Sequence, residues 1–419
     1  MKTRRFAGVV AAALVSATTL MTGCAASTSP TSGTTGTLSF YNDKNTWKFA
    51  EFSQFSEKEI GVSLKSTAYA DQNLYQAFIK RSLRTSASPG MFTWHTGDQL
   101  KTLVSDNVVA DTSSIWKKAV ASGSVSKSIE NLYTVAGKQY CIPMSVDNWA
   151  MFYNKKVFAK YNLTAPTSWK ELMGDAAVLK KNGVTPFWNQ GGLWSFVWFQ
   201  TLLAATDLKL YEDLADGKAS YTNPGVVKVM NYWLELQKKG FFNNSSKKDL
   251  PETLLRDGTV AMVPNGIWFT ANATAVGMSQ GSDYDMFPIP TINTSNGATP
   301  VAIETTPACV PAASKQAALG LKFSAFWMSA GAQSQWSKLQ GNLPYNPQAQ
   351  AATAPLRALG KTYSAGKYVY YLRYYEATPT PILTEATDNF TSFLTNPGDP
   401  TPYLQKIQRI ASEYWASNK

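Results

Sequence analysis

From Leu38 onward, short apolar stretches alternate with longer segments whose apolar residues recur every three or four positions, and this alternation confines the chain to α/β architectures. Leu38-Ser39-Phe40-Tyr41 reads as a strand running into the polar loop Asn42-Asp43-Lys44-Asn45. Met91-Phe92-Thr93-Trp94 reads as a second strand after the Ser88-Pro89-Gly90 break, and between the two Leu74, Tyr75, Phe78, Ile79 and Leu83 keep helical spacing. Ile142-Pro143-Met144-Ser145-Val146 and Trp149-Ala150-Met151-Phe152-Tyr153 are two further apolar runs, and Asn154 is placed to cap a helix through Lys160. Ser168 and Glu171 form a capping box for a helix that Gly183 ends, and Asn223 with Pro224 opens another that Gly240 stops. A chain of 419 residues is too long for one core, so two domains are expected.

The N-terminus has a different character. Lys2, Arg4 and Arg5 precede an apolar run at 6–15 and a small-residue stretch ending at Gly23-Cys24, the pattern of a secretory signal. The run is too short to span a bilayer, and none of eighteen or more apolar residues occurs elsewhere. Gly23-Cys24 after the apolar run resembles a bacterial lipobox, with Met21 where Leu is usual. That resemblance implies a signal peptide over 1–23, cleavage before Cys24 and a diacylated Cys24 as the new N-terminus. Residues 25–37 are Ala, Ser, Thr and Gly with one Pro and no charge, a flexible tether.

Counts exclude several functions. One His and three Cys leave little material for a transition-metal centre, so neither metal nor cofactor is expected. Thirty-nine Lys and Arg against 28 Asp and Glu give +11, which falls by three to +8 without Lys2, Arg4 and Arg5. The remaining charge is spread in doublets such as Lys117-Lys118 with no basic stripe, so nucleic-acid binding is not expected. The excess is aromatic: 13 Trp, 20 Tyr and 20 Phe.

An ordered set of motifs carries more than the counts. Tyr140-Cys141-Ile142-Pro143, Met151-Phe152-Tyr153-Asn154-Lys155-Lys156-Val157-Phe158, Ala165-Pro166-Thr167-Ser168-Trp169-Lys170-Glu171-Leu172 and Gly183-Val184-Thr185-Pro186-Phe187 resemble the signature run of family 1 extracellular solute-binding proteins. These are the carbohydrate receptors of ATP-driven importers. Gly258-Thr259-Val260-Ala261-Met262, Phe287-Pro288-Ile289-Pro290 and Gly341-Asn342-Leu343-Pro344 follow in the family's order.

The resemblance implies a two-lobed, periplasmic-binding-protein-like α/β fold of type II, each lobe a sheet flanked by helices. Lobe 1 is expected at 38–147 plus 304–347, lobe 2 at 148–303 plus 348–419, with crossings near 147–150 and 301–306. A monomer is expected, lipid-anchored outside the bacterial membrane, that closes on a sugar and presents it to permease subunits of an ABC transporter. Cys141 stands where the family usually has Gly. The fold would lay its strand beside that of Cys309, so the two either form a disulfide or remain buried thiols.

A sugar offers hydroxyls at its edges and C–H faces above and below, so its site needs aromatic platforms beside amides, carboxylates and hydroxyls. The loops expected at the cleft supply Tyr41, Asn42, Asp43, Trp94 and His95 from one lobe, and Asp147 and Trp149 at the hinge. Trp188, Asn189, Gln190, Asn265, Trp268, Glu304, Tyr345, Tyr371 and Tyr374 follow. Trp47 and Trp194 are either cleft or core residues, and the run 368–375 is either a buried helix or a binding surface. With a lone Arg373 in these segments no anionic ligand is favoured, which leaves a sugar, with an oligosaccharide favoured by the many aromatics. The alternatives are a non-sugar solute such as a peptide in the same fold, and an exported glycoside hydrolase using Asp147 with Glu304.

Overall fold

Two long strands organise the molecule. The two apolar runs after Tyr140 are a single 13-residue strand, because the polar residues between them continue the extended backbone. In the computed structural model, which describes residues 35–85, 88–365 and 367–418, the strands are β1 (Gly36–Asn42), β2 (Val62–Ala68), β3 (Met91–Thr93), β4 (Thr134–Val135), β5 (Lys138–Gln139), β6 (Ile142–Asn154), β7 (Thr185–Phe187), β8 (Val260–Gly266), β9 (Tyr284–Phe287), β10 (Thr299–Cys309) and β11 (Tyr368–Leu372). The signal segment, Cys24 and most of the tether stretch lie outside the described residues, and β1 begins at Gly36, inside the stretch read as tether.

Nine strands form one sheet in the order β2-β1-β3-β10-β6-β8-β7, with β11 beside β10 and β9 beside β6. β1 pairs in parallel with β2 and β3, whereas β10 and β6 run antiparallel through Asp147 opposite Glu304 and Ser145 opposite Thr306. Tyr368 to Leu372 of the tyrosine run is thus strand β11, parallel to β10, where its β-branched and aromatic content fits a pleated surface, while Tyr374 and Tyr375 open the short helix Tyr374–Ala377.

The buried apolar side chains fall into two clusters. The first gathers Phe40, Phe92, Trp116, Trp327 and Trp336, and the second Phe152, Trp188, Trp198, Trp233 and Phe390. β6 serves both, with Ile142 and Met144 in the first and Trp149 to Phe152 in the second; β10 does so in reverse, with Val301 and Ala302 in the second and Ala308 and Cys309 in the first. The result is a two-lobed α/β fold in which polar residues of β6 and β10 fall where one core gives way to the other. Helix Phe196–Thr206 is apolar all round and buried at nearly every position, the mark of a central helix. Its Gln200 accepts from the Tyr374 backbone N–H. Most of the aromatic excess is therefore interior, not cleft: Trp116, Trp188, Trp198, Trp233, Trp327 and Trp336 are all fully buried.

The three helix starts with sequence caps form as the residues dictate. Asn154, Ser168 and Asn223 accept from Val157, Glu171 and Gly225 backbone N–H groups respectively. Cys141 and Cys309 are disulfide-bonded across neighbouring strand ends, with Cα atoms 4.2 Å apart. Cys141 has φ +61, the left-handed region that favours glycine, so this chain places a bonded thiol at a backbone position shaped for Gly.

Candidate functional site

Residues paired across antiparallel strands project from the same face of the sheet. Ser145, Asp147, Glu304 and Thr306 therefore share a face where β6 and β10 pass between the cores. Glu304 and Thr306 line a cavity of about 310 Å³. Asp43, Lys44, Trp47, Gln72 and His95 close it from the side of the first core; Trp194, Phe196, Trp268, Asn272, Arg373 and Tyr375 close it from the side of the second. A separate cavity of about 370 Å³, lined by Pro166, Asp285, Phe287, Pro355 and Tyr368 among others, draws no residue from the first core.

The loop after β1 carries Asp43, whose carboxylate accepts from Thr93 Oγ1 at 2.9 Å and pairs with Lys44 Nζ at 3.3 Å. Burial pushes this carboxyl up, but Lys44, His95 and the Thr93 hydroxyl outweigh it and hold it below the ordinary carboxylate value. Glu304 Oε2 accepts from Trp268 Nε1 at 2.8 Å and Trp149 Nε1 at 3.3 Å, and pairs with Arg373 Nη1 at 2.8 Å. Gly266 makes room for this knot: a Cβ there would stand 2.5 Å from Trp268 Nε1.

Arg373 also forks onto Glu376, with Nε donating to Oε2 at 2.8 Å. Its guanidinium lies over the rings of Trp149, Phe196 and Tyr375. Burial alone would weaken the Arg373 charge, but Glu304 and Glu376 more than restore it and shift its pKa upward. His95 Nδ1 lies 3.7 Å from Glu376, while Gln72 Nε2 sits 2.8 Å from His95 Nε2 and donates to Tyr375 Oη at 3.1 Å. Beside this network Gly97, at φ +69, lets the two sides touch: a Cβ there would lie 2.1 Å from the Glu376 carbonyl oxygen. Asp147 differs from these groups. It is 1% exposed, neither carboxylate oxygen has a hydrogen-bond partner, and burial, with Glu304 adding to it, raises its pKa to about 7.

Residues 50–361 match the family model described as bacterial extracellular solute-binding protein. The chain belongs to the bacterial extracellular solute-binding proteins. That family works outside the cytoplasm, and no helix among the described residues is long and apolar enough to cross a membrane. An ABC transporter extracellular-binding protein of Pyrococcus horikoshii is 25% identical over 322 residues, 74% of this chain and 70% of its own. Among solved structures, a chitin oligosaccharide binding protein superposes with TM-score 0.76 at 18% identity over 91% of this chain and 99% of its own. The bacterial solute receptor AcbH, described with an exclusive preference for β-D-galactopyranose, does so with TM-score 0.77 at 20% identity over 91% and 99%.

In this solute-binding protein the sequence-expected residues divide. Asp43, His95, Trp268 and Glu304 meet at the cavity, and Asp147 and Trp149 stand on the sheet face that Glu304 shares. The others lie elsewhere. Asn42 is buried against Ser66 and Thr67, Tyr41 packs on Tyr69 and Phe78, and Trp94 is a core residue whose Nε1 donates to the Gln99 carbonyl. Trp188 is fully buried and accepts from Trp198 Nε1 through its carbonyl, and Asn189 donates its backbone N–H to Asn243. Asn265 turns its Oδ1 back to the Gly266 N–H, and Gln190 is not among the lining residues. Tyr345 packs on the first core, Tyr371 lies edge-on to Tyr211, and Tyr374 shares a hydroxyl hydrogen bond with Tyr221. Sequence reasoning missed Lys44, Gln72, Phe196, Asn272 and Tyr375. Tyr375 adjoined a flagged residue, and Lys44 sat in a flagged loop; for Gln72 and Asn272, both on helices, no sequence signal marked them. Among the described residues no group of three His, Cys, Asp or Glu is placed to hold a metal.

Proposed function

We propose that this solute-binding protein captures a sugar, with an oligosaccharide favoured, in the cavity between its two cores and delivers it by hinge closure to the permease of an ABC transporter. The observation that carries this reading is the division of the cavity wall. Rings make up part of that wall, Trp194, Trp268 and Tyr375 on one side and Trp47 on the other, and polar groups make up the rest, Asp43, Gln72 and His95 on one side and Asn272 and Arg373 on the other. A pyranose has that same division between faces and edges. The ligand-binding set is then Asp43, His95, Trp268 and Glu304 with Trp47, Gln72, Trp194, Asn272 and Tyr375.

The lobes are read as 38–147 plus 304–347 and 148–303 plus 348–419, in keeping with the membership of the two buried clusters. Bending about β6 and β10 would close them on the ligand. The protein acts as a monomer tethered through acylated Cys24, the reading its signal segment favours. It binds without catalysis: Glu304 Oε2 already serves three donors, which leaves it poorly suited to act as half of an acid/base pair with Asp147.

A thermal-shift screen of mono-, di- and trisaccharides against amino acids and peptides tests this. A saccharide at about a hundred times its Kd should stabilise the fold by about 2.7 kcal/mol without turnover. Stabilisation confined to amino acids or peptides would sink the sugar assignment, and release of smaller sugars would sink the receptor reading.

A further inference from the structure

We propose that the saccharide recognised here carries a protonated amine, which takes the unpaired Asp147 carboxylate as its counter-ion at the floor of the cavity. This rests on the saccharide reading above and narrows it from a sugar in general to an amino sugar.

The first argument is geometric. Asp147 lies directly opposite Glu304, and Ser145 opposite Thr306, on two antiparallel strands, so all four side chains leave the same face of the sheet. Glu304 and Thr306 line the cavity. Asp147 therefore leaves the sheet on the cavity side, beneath Glu304 and Thr306 and not itself among the lining residues; neither of its oxygens completes a hydrogen bond, although the Ser145 hydroxyl lies close enough to favour its charged form. Buried carboxylates are ordinarily paired, because an ion without a partner in a low-dielectric setting is costly. Every other charged group around the cavity is already matched. Asp43 holds Lys44 and the Thr93 hydroxyl; Glu304 and Glu376 share Arg373.

The second argument is the charge balance. Four buried carboxylates, Asp43, Asp147, Glu304 and Glu376, face two permanent cations, Lys44 and Arg373. His95, against Glu376, is the remaining titratable group, and even with its ring protonated the sum stays one positive charge short. In a chain of net charge +11 this local deficit is not a reflection of composition. Without ligand the shortfall is met by a proton, in line with the raised pKa of Asp147, about 7. Burial is the main cause and Glu304 adds to it, while Ser145, Lys44 and Arg373 pull the other way. An ammonium in the cavity supplies the same charge and displaces that proton. Trp194, Phe196, Trp268 and Tyr375 suit such a ligand as well, since ring faces attract cations as well as C–H groups.

Calorimetric titration of the mature protein with matched pairs tests the proposal: glucosamine with glucose, galactosamine with galactose, and chitosan disaccharide with chitin disaccharide, with spermidine as an amine lacking a sugar. At pH 7 the amine member of the pair that binds should be about tenfold or more tighter, the scale of a hydrogen bond to a charged group. Lowering the pH from 7 to 5.5 should weaken the amine member about tenfold, as the proton retakes Asp147. In Asp147→Asn the preference should shrink to within about twofold. If that variant does not fold, the wild-type pH series carries the test alone. A neutral or acetylated member that binds as well as its amine counterpart overturns the amine assignment and leaves the sugar reading standing. Spermidine binding in place of every saccharide overturns both, and so does a failure of all of these saccharides to bind.

Discussion

The two cores build opposite halves of one cavity, and they do so with different proportions of polar and aromatic groups. The first core's side contributes Asp43, Lys44, Gln72 and His95, held in place by hydrogen bonds and ion pairs, with Trp47 as its one large aromatic ring. The second contributes mostly rings, Trp194, Phe196, Trp268 and Tyr375, packed as in the 5.9 Å approach of Trp194 to Trp268, with Asn272 and Arg373 as its polar groups. The wall residues are held before ligand arrives, in part across the two sides, as Gln72 holds Tyr375, so binding has little side-chain freedom left to remove. The cores also differ in how they are secured. A disulfide closes the first beside the strands that leave it, while the second, among the described residues, relies on packing around helix Phe196–Thr206. What the contrast teaches is that directional contacts need a rigid backbone at the hinge, whereas ring platforms need only a dense interior behind them.

The comparison breaks most visibly at the disulfide. It spans 168 residues, so its loss should cost about 5 kcal/mol through loop-closure entropy. The pair Cys141→Gly and Cys309→Ala avoids left-handed strain at position 141; heat or urea should then unfold the first core's side ahead of the second, and a single unshifted transition would contradict the asymmetry. Next in size is Trp194→Ala. It removes a ring face without touching the polar wall, and should weaken saccharide binding by about 2 to 3 kcal/mol with little change in melting temperature, by calorimetry and thermal unfolding.

The smallest effect concerns the strand shared by both walls. Because the Asp147 pKa is raised in the fold, its contribution to stability is fully present below the unfolded value of about 4 and is lost as pH rises through about 7. Stability measured from pH 5 to pH 8 should therefore decline more steeply in the wild type than in Asp147→Asn. Parallel curves would mean the carboxyl is solvated after all.

The fold was more legible in the sequence than the site. Asn154, Ser168 and Asn223 act within three residues of themselves, so their caps follow from local chemistry, and β1, β3 and the ends of β6 announce themselves by apolar runs. The cavity depends on which way a side chain turns, and that is decided by strand parity and by neighbours far along the chain. His95 reaches the cavity while adjacent Trp94 enters the first core, and Tyr375 lines the cavity while Tyr374 is locked to Tyr221 in the second. Gln72 could not be found locally, since its partners His95 and Tyr375 lie 23 and 303 positions away. Aromatic content misled for a related reason: both cores are filled with large rings, so abundance alone did not separate platform from interior.

The most direct measurement is a calorimetric titration of the most stabilising saccharide into the wild type and into Trp268→Ala. Trp268 both faces the cavity and donates to Glu304, where the two walls meet. Affinity should fall by about a hundredfold while the unfolding transition stays cooperative and near its original temperature. Unchanged affinity in a folded variant would show that the sugar binds somewhere other than between the two cores.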